Sequence, residues 1–339
     1  NGEGFINKLY GMRNGIEGML AERLVDLSDK MNDEHWLKTL EATPAAALGS
    51  CRRKLPKMGE DDAVYEKLFA EKGCSIEKTS DNLIVTGKLC SGIYEVAGDV
   101  SSQFITGLLF TLPLLEGDSE IRLTTPLQSA PYVDITIDVL SRFGVDIVKT
   151  PTGFFIKGCQ AYKPCNDVCE GDWSNGAFLD GFNLADGEVI LENMNCHSKQ
   201  GDMIYKDYFR LLCDGTPQLD ISHCPDLGPV LIACAVLKNG ATLKGTNRLK
   251  IKESDRGVAM AQELKKFGVN IEIGDDYITI PQCKLCTPCE SIDCHNDHRI
   301  AMSFAVAAMN AEGETEILGS ECVDISYPSF YSDLDMLMK

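Results

Sequence analysis

Lys252, Glu253 and Arg256 fall within five residues, in K-E-S-D-R, and His298 and Arg299 close the motif N-D-H-R. These are two clusters that carry cations in a chain whose formal net charge is −19. A site for a small anion in so acidic a protein has to concentrate its few cations locally, and these two clusters could do that. The plainer reading of Lys252–Arg256 is a solvated helix start. Asp99, Asp172, Asp226 and Asp297 each stand where a helical pattern begins. Helix N-termini present free N–H groups and the positive end of the dipole, so several such ends directed at one place would bind anions. The competing reading is that these carboxylates are ordinary N-caps, and for Asp172 that reading is preferred.

Sulfur offers a second possible chemistry. The chain has 15 cysteines, and Cys283, Cys286, Cys289 and Cys294, with His295, contain two overlapping C-x-x-C steps. The spacing permits a zinc or iron–sulfur site. The same stretch also reads as a hairpin and loop, and on that reading no metal is expected. Cys213, Cys234 and Cys322 sit singly in apolar segments and are expected in the core as reduced thiols, which suits a cytoplasmic protein.

The positioning elements follow a repeat. From Asp99 the pattern is a helix, a Gly turn and a strand (E-I-R-L), then a second helix at 132–143, then F-G-V and two short strands ending in F-F-I-K-G. From Asp226 the plan recurs, with a second helix from Ser254 and F-G-V at 267–269. Looser copies begin at Asp172 and Asp297, and residues 65–87 read as the second half of a further unit. Helix–strand–helix–strand–strand units bury their apolar faces by packing on one another, so the fold class is α/β. The 339 residues suffice for two domains. The acidic balance argues against nucleic acid, and no apolar run approaches the roughly 18 residues that span a bilayer.

Taken in order, S-S-Q at 101–103, S-A-P-Y at 129–132, P-D at 225–226, K-E-S-D-R at 252–256 and N-D-H-R-I-A-M at 296–302 resemble the 5-enolpyruvylshikimate-3-phosphate synthases over about residues 64–339. The resemblance implies a two-lobed enolpyruvyl transferase fold with helix N-termini facing a cleft. It implies transfer of the enolpyruvyl group of phosphoenolpyruvate to the 5-hydroxyl of shikimate 3-phosphate, in aromatic amino acid biosynthesis, with no metal or organic cofactor. On the same resemblance Ser101, Ser102 and Gln103 bind the phosphate of shikimate 3-phosphate, and Ser129 and Tyr132 form the companion loop. Asp226 holds the ring hydroxyls and takes the attacking proton, beside Lys252. Glu253 is the acid–base candidate, Arg256 and Arg299 clamp phosphoenolpyruvate, and His298 supports the reacting phosphate. A related family that transfers the same group to a nucleotide sugar shares the fold but lacks K-E-S-D-R and D-H-R, and ranks second.

The chain departs from the family pattern in places. The family's opening unit and part of its second have no counterpart here, and Ile325 stands where the family places a Lys before Ser-Tyr-Pro. Residues 1–69, with L-Y-G-M-R-N-G-I-E-G-M-L and T-P-A-A-A-L-G-S-C-R-R-K-L, resemble instead an internal piece of a pyrophosphate-dependent 6-phosphofructokinase. The expected organisation is a poorly packed fragment at 1–69, a partial N-terminal lobe at 70–168 and a C-terminal lobe at 169–339. On this view the chain lacks appreciable turnover, and the alternative function is a non-catalytic anion-binding remnant of a fused or mis-assembled reading frame.

Overall fold

The computed structural model describes residues 63–78, 83–99 and 102–337. Most of the phosphofructokinase-like stretch, and Ser101, therefore lie outside the described residues. The chain divides into two compact units between Cys169 and Glu170.

In the first unit, helix α1 (Ala63–Glu71) leads into an antiparallel pair, β1 (Cys74–Lys78) and β2 (Leu83–Gly87), with Cys74 opposite Gly87. There follow β3 (Ile93–Val96), α2 (Ser102–Thr111), β4 (Ser119–Leu123), α3 (Ala130–Arg142), β5 (Ile147–Thr150) and β6 (Gly153–Ile156). The sheet order is β3-β4-β6-β5; β3 runs parallel to β4 and the other pairings are antiparallel.

The second unit holds α4 (Trp173–Leu184), α5 (Tyr205–Asp214), β7 (Gln218–Asp220), α6 (Gly228–Leu237), β8 (Ala241–Lys244), α7 (Arg256–Lys266), β9 (Glu272–Ile273) and β10 (Tyr277–Ile280). It closes with β11 (Ile292–Asp293), α8 (His298–Ala308), β12 (Ile317–Leu318) and α9 (Phe330–Leu337). Its main sheet, β7-β8-β10-β9, repeats the order and strand directions of the first. The short pair β11–β12 is parallel, as β3–β4 and β7–β8 are.

The two F-G-V motifs show why the repeated sequence folds alike. Gly144 and Gly268 follow α3 and α7 with φ of +78° and +84°, a conformation that costs glycine little. The next residue folds back on each helix: Val145 donates its N–H to Leu140 O at 2.9 Å, and Val269 to Leu264 O at 3.1 Å. This is the Schellman closure, which satisfies orphan carbonyls and turns the chain into the next strand.

Strand alternation then builds matching cores. Tyr94, Ile121 and Phe154 stand opposite one another across β3, β4 and β6, and all three are buried. Leu219, Leu243 and Ile278 form the same row across β7, β8 and β10. Burial of such side chains contributes ~1.5–3 kcal/mol each before chain entropy is counted. In the second unit α6 and α8 are buried almost all round, and Phe267 of the second F-G-V stacks on Phe304 of α8 at 5.8 Å.

Several details differ from the sequence expectations. Helix α3 begins at Ala130 rather than 132, because Pro131 suits a first turn. Helix α7 begins at Arg256 rather than 254, with Asp255 as its cap. The copy from Asp172 has no strand after its helix; residues 185–200 are irregular apart from turns. Each complete unit also gains a leading parallel strand, β3 or β7, that was not anticipated. Cys213 is exposed, contrary to expectation, because it lies on the outer face of the amphipathic α5; Cys234 and Cys322 are buried as expected.

Candidate active site

Four helix starts of the second unit meet through their side chains. Asp172 caps α4, taking the N–H of Ser174 at 2.9 Å and its hydroxyl at 3.0 Å. Asp226 lies in the turn Pro225–Leu227 that opens α6. Arg256 is the first residue of α7, and Lys252 and Glu253 lie just before it. Asp297 caps α8 by accepting the N–H of Arg299 at 3.0 Å. The turn that delivers Asp297 has both His295 and Asn296 in the left-handed region, with φ of +54° and +53°.

Asp226 is the meeting point. One of its oxygens accepts from Arg256 Nη1 at 2.9 Å and from Lys252 Nζ at 3.0 Å. The other accepts from Arg299 Nη2 at 3.1 Å, and the same Nη2 donates to Ser174 Oγ at 3.2 Å. Arg256 reaches two further carboxylates: Nη2 donates to Glu253 at 2.7 Å, and Nε donates to Asp297 at 2.8 Å. Ser254 Oγ adds a bond to Asp297 at 3.1 Å. His298 Nδ1 stands 3.9 Å from Glu253.

Arg256, Asp297, His298 and Arg299 are all fully buried. Charges so placed are tolerated only when paired and hydrogen-bonded. Burial by itself would push the Asp297 carboxyl up, but the Arg256 charge and hydrogen bond, with His298 and the Arg299 N–H, outweigh it and hold the group down at about 2. Burial likewise disfavours the Arg256 charge, and Asp297, Glu253 and Asp226 reverse that, raising its pKa. Such a cluster of forked guanidiniums, a lysine and carboxylate partners can exchange internal ion pairs for the oxygens of a carboxylate or phosphate.

The first unit has a polar group of its own. Ser102 and Gln103 open α2, while Ser129 and Tyr132 lie at the start of α3. The loops leading into these helices are stitched together. Gln128 N–H donates to Gly98 O at 3.0 Å, and Thr125 Oγ1 donates to Asp99 at 2.6 Å. Farther along, the hydroxyls of Thr106 and Thr136 meet at 3.0 Å. Ser129 is buried with φ of +54°, and its Oγ has no hydrogen-bond partner among the described residues. A buried hydroxyl at a helix start is suited to a polar ligand atom.

A family model described as EPSP synthase (3-phosphoshikimate 1-carboxyvinyltransferase) matches residues 67–211 and 213–334. The chain belongs to the EPSP synthase family. The 3-phosphoshikimate 1-carboxyvinyltransferase of Clostridium acetobutylicum is 39% identical over 292 residues, covering 80% of this chain and 68% of that protein. Its counterpart in Methanocaldococcus jannaschii is 35% identical over 299 residues, covering 82% and 69%. In fold the chain is similar to the solved EPSP synthase of Acinetobacter baumannii, with a TM-score of 0.65 at 21% identity over 81% of this chain and 70% of that one. It is similar also to the enolpyruvyl transferase NikO of Streptomyces tendae, with 0.63 at 14% identity over 83% and 72%. By family the chain is therefore a transferase of the shikimate pathway, with the α/β enolpyruvyl transferase fold.

Within that family fold, the structure brings Asp226, Lys252, Glu253, Arg256, His298 and Arg299 together in one unit, and sets Ser102 and Gln103, and Ser129 and Tyr132, at the starts of two adjoining helices in the other. Ser174 and Asp297 are the additions. Asp297 was legible only as a cap, although its place between Asn and His-Arg could have suggested a partner for a buried arginine. Ser174 carried no signal beyond its Asp-x-Ser start. Among the described residues no group of three or more His, Cys, Asp or Glu side chains is arranged to hold a metal. Cys286 and Cys289 are exposed, while Cys294 is buried with its Sγ 3.4 Å from that of Cys322. No helix among the described residues is long and apolar enough to cross a membrane.

Proposed function

We propose that the second unit's cluster binds and activates phosphoenolpyruvate, and that the helix starts of the first unit hold the phosphate of shikimate 3-phosphate. The observation that carries this reading is the sharing of one carboxylate, Asp226, by Arg256, Arg299 and Lys252. The two guanidiniums are placed to take the carboxylate and phosphate of phosphoenolpyruvate in bidentate fashion. As they do so, Asp226 is freed to act as the base that takes the proton of the attacking 5-hydroxyl. Glu253, bonded to Arg256 and near His298, is the group that exchanges a proton with the enol methylene. Protonation at that carbon and addition of the hydroxyl at its neighbour give a tetrahedral intermediate. Loss of phosphate and of a methyl proton then restores the carbon–carbon double bond and gives the enol ether. Lys252, Arg256 and Arg299 stabilise the charge that collects on the departing phosphate.

A coupled phosphate-release assay on the purified chain tests the reading. If the family's activity is kept, rather than lost with the family's opening unit as the sequence led one to expect, release requires both substrates and falls when Arg256 is exchanged for Ala, a change that weakens phosphoenolpyruvate binding by ~1.5–3 kcal/mol. Phosphate or phosphoenolpyruvate binding without turnover would instead leave the cluster a non-catalytic anion site.

A further inference from the structure

Two turns beyond Arg256 on the same helix stands Glu263, a buried carboxylate for which the chemistry above has no use. Its oxygens are all directed at one short segment and its anchor. Oε2 accepts the backbone N–H of Asp293 at 2.8 Å and lies 2.7 Å from Lys266 Nζ. Oε1 lies 3.2 Å from Nε2 of His295. Lys266 in turn donates to Ser291 O at 2.8 Å, so the clamp also holds the chain that leads into the segment.

That segment is the strained one. The turn holds itself with His295 N–H on Asp293 Oδ1 at 2.7 Å and Asp297 N–H on Cys294 O at 2.9 Å. Two successive non-glycine residues in the left-handed region persist only where the surroundings over-determine them. On the far side Cys294 Sγ donates to Gly319 O at 3.0 Å, and a Cβ at Gly319 would sit 2.9 Å from that sulfur. The turn is thus pressed between α7 and the β12 loop. It ends at Asp297, from which the Arg299 backbone and the Arg256 side chain both take their bearings.

We propose that Glu263 is a positioning residue for the phosphoenolpyruvate site: it locks the turn 293–297 in its left-handed form, and through Asp297 it sets the place of the Arg299 guanidinium. Helix α7 then fixes both arginines, one directly and one through this clamp. The inference rests on the reading of Arg256 and Arg299 given above.

The test is Glu263→Gln in the full chain, which keeps the shape but turns an amide N–H toward a donor. Two measurements decide it. Amide hydrogen exchange at 293–299 should quicken at least tenfold while α6 keeps its protection. Calorimetric Kd for phosphoenolpyruvate should rise about tenfold, and in turnover the KM for phosphoenolpyruvate should rise with that for shikimate 3-phosphate unchanged. A double variant with Arg299→Lys should lose less than the sum of the two single losses, because Glu263 acts largely through that guanidinium. Exchange unchanged at the turn, protection lost throughout the unit, or additive losses in the double variant would each overturn the proposal. If the parent chain binds no phosphoenolpyruvate, the functional reading fails, and the exchange measurement still decides whether Glu263 holds the turn.

Discussion

Exchange of Asp226 for Asn should abolish turnover yet tighten the binding of inorganic phosphate. In the free protein this carboxylate occupies donors of Arg256, Arg299 and Lys252 that an anion would use. Each charged hydrogen bond is worth ~1.5–3 kcal/mol. A phosphate that takes over the two guanidiniums must displace two such bonds, about 3 kcal/mol at the low end of that range. The replacement amide still accepts one N–H, so roughly half of that sum is recovered by the ligand, ~1.5 kcal/mol or about a tenfold smaller Kd. Without ligand the same change removes the carboxylate that Lys252, Arg256 and Arg299 share, and breaking a buried pair in this way costs ~3–5 kcal/mol. Thermal unfolding of the variant should therefore begin lower than that of the parent and recover more steeply with added phosphate, following RT ln(1 + [L]/Kd). Calorimetric titration with phosphate gives Kd directly. Turnover should drop by at least ~10², the ordinary contribution of a positioned base. A variant that binds phosphate more weakly than the parent would refute the claim that Asp226 and the ligand compete for the same guanidiniums.

Other outcomes follow from the same structure. Asp297 is held down from 3.8 to about 2 in the folded chain. Its contribution to stability is thus complete above the unfolded value and is lost as the pH falls from 4 through 2, roughly 2–3 kcal/mol in all. Acid unfolding followed by circular dichroism should be shallower across that window in Asp297→Asn, and an identical slope would show the carboxylate not to be responsible. Phe304→Ala removes the partner of the Phe267 stack in the core of the second unit and should cost ~3–5 kcal/mol in urea unfolding. Limited proteolysis should cut in the irregular stretch 157–171, where the two units divide, and leave a resistant fragment from about residue 165 onward; early cuts inside 220–310 would contradict that assignment.

How much of this was legible in the sequence depended on range. The F-G-V closures could be read because a Schellman turn is specified within six residues by a glycine that tolerates positive φ. The motifs at 252–256 and 296–299 could be read because their residue types are unusual side by side. The leading strands β3, β7 and β11 could not: each has only two to four residues, too few for alternation to register, and each owes its pairing to a strand beyond a whole helix. The bond from Arg299 to Ser174 joins residues 125 apart, and nothing local to either announces it. Cys213 was misplaced because apolar neighbours on a helix do not say which face a residue takes.

The repeat also explains how so acidic a chain can hold cations in readiness. The starts of α2 and α6 occupy the same place in their units, as do the starts of α3 and α7. The first unit fills these places with Ser102, Gln103, Ser129 and Tyr132, neutral groups that need no counter-charge when empty. The second fills them with Asp226, Lys252, Glu253 and Arg256, and α8 adds Asp297 and Arg299. Bare guanidiniums there would repel one another and, once buried, could not keep their charge cheaply. Three carboxylates, Asp226, Glu253 and Asp297, pair with three cations, Lys252, Arg256 and Arg299, and so hold them in place in the absence of ligand. Anion binding there is therefore an exchange of partners, in which the carboxylate set free, Asp226, is the one the proposed chemistry needs as a base.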